Sequence, residues 1–334
     1  MTAIRVPALN ERVIARVRSR QDSLTKPRGS LGRLEDLASR LAAIAGCLDP
    51  PLKNRVLFLL AGDHGVAAEG VSAYPTEVTA QMVRNFRNGG AAANVLARQL
   101  GVRVEVADFG VGQGTRSFTE GPAMGVSQAR RAIRRGRELV RGQRIAGLDV
   151  VLTGEMGIGN STSAAALTCA LTGVQPKLAV GRGTGVGEAG LRHKRAVVRR
   201  GLEVNRESLH DPLQVLAALG GFEIAGLVGV ILEGARLRKP VLLDGFIASA
   251  AALVAVQLNP ESAGCLIAAH RSAERGHRLV LEALGLKPLL DLEMRLGEGT
   301  GALLALPLLE ASIRLLNEMA TFEEAAVANR LADG

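Results

Sequence analysis

Apolar residues follow two rhythms along this chain. Short apolar runs at 56–60, 102–107, 149–153, 241–243 and 265–269, with another at 178–180, each end in glycine or polar residues. Runs of that length, rich in Val, Leu and Ile, predict strands buried on both faces. Between them the apolar positions recur every three or four residues. That spacing predicts helices over 77–100, 127–144, 161–171, 189–207, 212–219, 221–237 and 245–258. Strands alternating with helices require right-handed crossovers, hence a parallel sheet clothed on both faces. The expected fold class is α/β, a doubly wound, mostly parallel, Rossmann-like sheet.

The two ends carry helical patterns without strands, at 10–17 and 32–46 and again at 302–319, where Pro307 is expected to kink the helix. They predict a smaller helical domain made of 1–50 and 302–334, beside a sheet domain of 51–301 that holds the chemistry. No internal repeat or composition break marks a linker.

Composition narrows the function. Lys and Arg number 41 against 32 Asp and Glu, a net charge of +9 that favours anionic partners. Seven Phe, one Tyr and no Trp leave few platforms for stacking bases, so a small anionic substrate is expected rather than nucleic acid. Cys47, Cys169 and Cys265 stand far apart among small apolar residues and are expected to be reduced core thiols of a cytosolic protein. The first residues lack the apolar core of a signal sequence. The greasiest stretch, 241–258, is broken by Asp244, so no membrane span is expected.

Glycine fills 40 of 334 positions, and much of it falls in the loops that follow the expected strands. Those loops converge on one edge of the sheet, where helix N-termini point free N–H groups outward. In Gly154-Glu155-Met156-Gly157-Ile158-Gly159-Asn160-Ser161 a strand runs into a helix through glycines that let a ligand approach the backbone. That geometry suits a phosphate, or else only a tight turn. It is neither a Walker loop nor a dinucleotide fingerprint, and the spacing of Gly181, Gly183, Gly185 and Gly187 fails the latter too. Glu298, between Gly297 and Gly299 before an apolar helix, is either a general base raised by burial or a helix cap. Lys194 is a candidate anion contact, while Arg130, Arg131, Arg134, Arg135 and Arg137 read as a solvated helix face. Five scattered histidines give no metal signature, and no nucleophile elbow is present. Positioning plus one acid or base remains, which suits transfer at an activated sugar carbon.

Seven motifs in register then resemble one family. They are 26–35 (KPRGSLGRLE), Gly62-Asp63-His64-Gly65-Val66 with Gly70-Val71-Ser72-Ala73-Tyr74-Pro75, 154–160, Gly181-Arg182-Gly183-Thr184-Gly185, Asp244-Gly245-Phe246, Ser272-Ala273-Glu274, and Leu296-Gly297-Glu298-Gly299-Thr300-Gly301. From about residue 25 to 312 the chain resembles the nicotinate-nucleotide:dimethylbenzimidazole phosphoribosyltransferases. The resemblance implies transfer of the 5-phosphoribosyl group of nicotinate mononucleotide to 5,6-dimethylbenzimidazole, with inversion, no metal and no bound cofactor, by a cytoplasmic homodimer. It makes Glu298 the general base and Glu155 a second active-site carboxylate. Gly157, Ile158, Gly159, Asn160 and Ser161 become the phosphate loop. It adds Gly183, Thr184, Lys194, Ser272 and Gly297 to the substrate site, with Ser72, Tyr74 and Gln81 bordering the benzimidazole. Arg275 departs from the family, which commonly has proline there, and bears on loop stiffness rather than on the reaction. Transfer to another base, hydrolysis, or a nucleotide-binding regulator without turnover are the competing readings.

Overall fold

The computed structural model describes residues 5–328; the outer ends of the expected helical domain, 1–4 and 329–334, lie outside the described residues. Five apolar runs pair into one all-parallel sheet. Its strands are β1 (Arg55–Ala61), β2 (Arg103–Asp108), β3 (Val150–Met156), β4 (Val241–Leu243) and β5 (Leu266–Ala268), in the order β2-β1-β3-β4-β5. From β1 the chain winds to β2 on one side, then crosses to β3 on the other. The loops leaving β1 and β3 therefore diverge and open a crevice between them, the usual ligand position in such sheets.

The helices are α1 (Glu11–Ser23), α2 (Arg33–Ala45), α3 (Glu77–Arg87), α4 (Ala92–Leu100), α5 (Val126–Gln143), α6 (Asn160–Thr172), α7 (Pro176–Ala179), α8 (Glu188–Val204), α9 (Pro212–Leu219), α10 (Phe222–Arg236), α11 (Phe246–Leu258), α12 (Arg275–Ala283) and α13 (Thr300–Glu318). Successive strand residues point to opposite faces, so β1 feeds two cores. Phe58 and Leu60 join Ile133 of α5, Leu167 of α6, Ile231 of α10 and Val254 of α11. Leu57 and Leu59 join Val17 of α1, Leu41 of α2, Ala97 of α4 and Leu306 of α13. The helices from the two ends of the chain thus pack together and against one face of the sheet.

Two contacts fix these layers. On the first face α5 and α10 approach through glycine: a Cβ on Gly136 would overlap the Gly226 carbonyl oxygen, and one on Gly229 that of Ile133. At the end of that seam Glu233, with a fully buried side chain, binds Arg137, Arg141 and Arg236. Burial alone would raise its carboxyl, but the three guanidinium hydrogen bonds hold it at about 2. On the second face Arg20 of α1 donates to the carbonyls of Leu316 (2.8 Å), Asn317 (3.2 Å) and Met319 (3.3 Å), closing the C-terminus of α13. The helix runs on through Pro307, whose ring is exposed.

Four sequence expectations need correction. The stretch 77–100 is two helices, because Gly89 turns the chain at φ +76° between them. The run at 178–180 is no strand: Pro176 starts the short helix α7 there. Cys47 is exposed, because Gly46 ends α2 in a left-handed turn that carries the next residue outward, whereas Cys169 and Cys265 are buried. Arg137 is drawn onto Glu233, while Arg130, Arg131, Arg134 and Arg135 are exposed.

Candidate active site

β3 ends inside the molecule and hands the chain to α6 through Gly157-Ile158-Gly159. A Cβ on Gly157 would overlap the carbonyl oxygen of Gly62 at the end of β1, and Gly159 is left-handed at φ +97°. Only glycine permits so tight a turn at the point where the winding reverses. The start of α6 has no side-chain cap, and its first residues, Asn160 and Ser161, line the crevice. The Ser161 hydroxyl accepts from Lys194 Nζ of α8 at 2.8 Å. Lys194 is buried; desolvation lowers it to about 8, against the opposing pull of Glu274. It still carries its charge near neutrality, so the helix start and a lysine reinforce one another as an anion seat.

The opposite wall is acidic. Glu155 is the sixth residue of β3 and is buried, and it accepts from the Asn160 side chain. Burial, then the charges of Asp244 and Glu223, hold it well above the usual carboxylate range. Glu298 enters from the far end of the chain, just before α13, and is also buried. Burial raises its carboxyl to about 7, with Asp244 adding to the shift. Its backbone sits at φ +62° between Gly297 (+80°) and Gly299 (+82°), three left-handed residues in succession. Gly154 lets this loop settle on β3, since a Cβ there would lie 2.9 Å from the Glu298 carbonyl oxygen.

Asp244, following β4, explains how that loop is held. Its carboxylate accepts N–H groups of Gly299 (3.1 Å), Gly301 (2.7 Å) and Ala302 (3.1 Å). The free donors that open α13 therefore go to Asp244 and leave the Glu298 carboxyl without a capping bond. The helix-cap reading of Glu298 therefore has no hydrogen bond behind it.

These groups surround a cavity of about 520 Å³. Of the residues singled out from the sequence, Tyr74, Glu155, Gly157, Ile158, Asn160, Ser161, Gly183, Thr184, Ser272, Gly297 and Glu298 line it. Gly159 and Lys194 stand behind the wall, in the turn and under Ser161. Ser72 also stands back, its hydroxyl 3.2 Å from that of Thr184, which in turn accepts from the Ala73 N–H at 3.0 Å. Gln81 is exposed on α3, whose Val78 and Met82 face the cavity instead. Met156, Phe246, His270 and Glu274 belong to strand-end loops singled out from the sequence without a role of their own, whereas Val78, Met82, Ile247 and Arg295 were passed over. The i, i+4 spacing of Val78 and Met82 was a usable signal for one apolar wall. Among the described residues no cluster of three or more His, Cys, Asp or Glu could hold a metal ion, and no helix is long and apolar enough to cross a membrane.

A second groove, about 730 Å³, lies between α1, α2 and β5, and none of these groups lines it. The smaller cavity is the candidate site, for Ser161, tied to Lys194, and the two raised carboxyls line it at the C-terminal edge of the sheet.

A family model described as phosphoribosyltransferase matches residues 6–327, and fold and site together define a protein of that class. A nicotinate-nucleotide–dimethylbenzimidazole phosphoribosyltransferase from Geobacter sulfurreducens is 49% identical, covering 95% of this chain and 94% of that relative. One from Desulforamulus reducens is 50% identical, covering 98% and 97%. The crystal structure of the enzyme so named from Thermus thermophilus matches with a TM-score of 0.92 at 46% identity, covering 96% of this chain and 100% of that one. The chain belongs to the nicotinate-nucleotide–dimethylbenzimidazole phosphoribosyltransferase family.

Proposed function

We propose that this chain transfers the 5-phosphoribosyl group of nicotinate mononucleotide to 5,6-dimethylbenzimidazole, releasing nicotinate and α-ribazole 5'-phosphate. The observation that carries the reading is the pairing, within one cavity, of the Gly157–Ser161 anion seat with a buried Glu298 carboxyl poised near 7. The 5'-phosphate sits at the start of α6, where Ser161 is backed by Lys194. The flat acceptor lies among Val78, Met82, Phe246 and Leu296, whose apolar surfaces suit it. One ring nitrogen of the acceptor attacks C1' while Glu298 takes the proton from the other. The C1'–N bond to nicotinate breaks, and its electron pair neutralises the cationic pyridine nitrogen, so departure requires no acid. Glu155 holds the second edge of the site. The family resemblance supports a homodimer in the cytoplasm, and the net positive charge is consistent with an anionic donor.

The test is mass-spectrometric product analysis with nicotinate mononucleotide and 5,6-dimethylbenzimidazole. The parent is expected to form α-ribazole phosphate, and Glu298→Gln to turn over roughly 10²-fold or more slowly. Absence of product with the parent, despite donor binding, would direct the reading to another acceptor base.

A further inference from the structure

His64 is a buried titratable side chain that the reaction scheme leaves idle. It follows β1, and its ring is wholly buried beneath the turn from β3 to α6. A carboxylate can only accept, so His64 Nε2–H donates to Glu223 Oε1, at 2.6 Å. On the other side of the ring Nδ1 lies 3.0 Å from the Ser163 hydroxyl, in the first turn of α6. The second oxygen of Glu223 has no hydrogen-bond partner in its buried site, so His64 is the group that holds this carboxylate. The backbone closes on the ring. A Cβ on Gly157 would lie 3.3 Å from His64 Cδ2, one on Gly159 3.3 Å from its Cβ, and one on Gly221 2.7 Å from Nε2.

We propose that His64, anchored by Glu223, is a positioning residue for the substrate phosphate: its ring is the floor on which the Gly157–Gly159 turn and the first turn of α6 rest. The inference depends on the reading of that turn as the phosphate seat. Donors to a tetrahedral oxyanion must be held within about 0.5 Å to act together. Here the turn is glycine on either side of Ile158, whose N–H is held by the Thr79 hydroxyl at 3.1 Å, and a ring tied at both nitrogens stiffens the two glycine positions from below. His64 lies outside the cavity wall, and its effect is therefore confined to the phosphate.

The experiment is calorimetric titration of nicotinate mononucleotide, and of the riboside that lacks its phosphate, into the parent, His64→Ala and Glu223→Gln. The parent is expected to prefer the phosphorylated ligand. His64→Ala should cut that preference about tenfold through the nucleotide alone, with free imidazole restoring it, and Glu223→Gln should lie between. If His64→Ala does not fold, the ratio in Glu223→Gln decides. An unchanged preference in the variants, or an equal loss for both ligands, overturns the positioning role. No preference in the parent overturns the phosphate seat itself, and the inference with it.

Discussion

Glu298 combines a demand of chemistry with a demand of the backbone. Its carboxyl, raised to about 7 by burial and by Asp244, is a base only above that value. The rate with saturating acceptor should therefore rise through pH 7 and level off, and Asp244→Asn, by removing one cause of the shift, should move the rise to lower pH. Stability follows the opposite course. Between the ordinary carboxylate range and about 7 the folded chain keeps a proton that the unfolded chain gives up, so stability falls as pH rises through that window. Glu298→Gln escapes this loss. It should match the parent's stability at pH 4 and exceed it by about 2 kcal/mol at pH 8 in denaturant titrations. Equal stabilities at pH 8 would mean that the carboxyl is not raised. The sequence displayed the glycines around this residue but not its role, because capping and proton transfer call for the same residue type at a helix start. Only the Asp244 hydrogen bonds, between positions more than fifty residues apart, separate them.

Among the elements, the β3 turn leaves its glycine no room for a side chain. Gly157→Ala places a methyl group on the Gly62 carbonyl, which should cost roughly 2 kcal/mol and, by misplacing the N–H donors, lower kcat/KM roughly 10²-fold. Kinetics and a thermal melt on that variant check both parts; parental kinetics in the Gly157→Ala chain would show that the turn tolerates movement. Four strands were legible because each is buried on both faces and reads as an apolar run, whereas β2, at the sheet edge, is only partly buried and alternates apolar with polar residues. Helix ends were less so. A helical rhythm continues across Gly89 although the chain turns there, and 178–180 is as apolar as a strand but stands after Pro176. α12 begins at Arg275, where Glu274 is the N-cap and Arg275 Nη1 donates to the Lys177 carbonyl at 3.2 Å. An arginine at that first helical position forms a tertiary bond that a proline could not, and its partner was invisible in the local pattern.

At the scale of the whole molecule, the order β2-β1-β3-β4-β5 assembles the site from loops scattered between residues 62 and 298. The net charge of +9 acts on the anionic donor but not on the neutral acceptor. KM for nicotinate mononucleotide should thus rise roughly threefold between 50 and 500 mM salt while KM for the benzimidazole stays constant; parallel changes would assign the effect to the fold. α13 both begins next to Glu298 and fills the face shared by α1, α2 and the sheet, where Arg20 closes its end. A ribosome makes these partners in an inconvenient order. The apolar sides of α1 and α2 emerge some 260 residues before the helix that covers them, and the nascent chain has neither a finished second core nor the proposed base until residues 298–318 are synthesised.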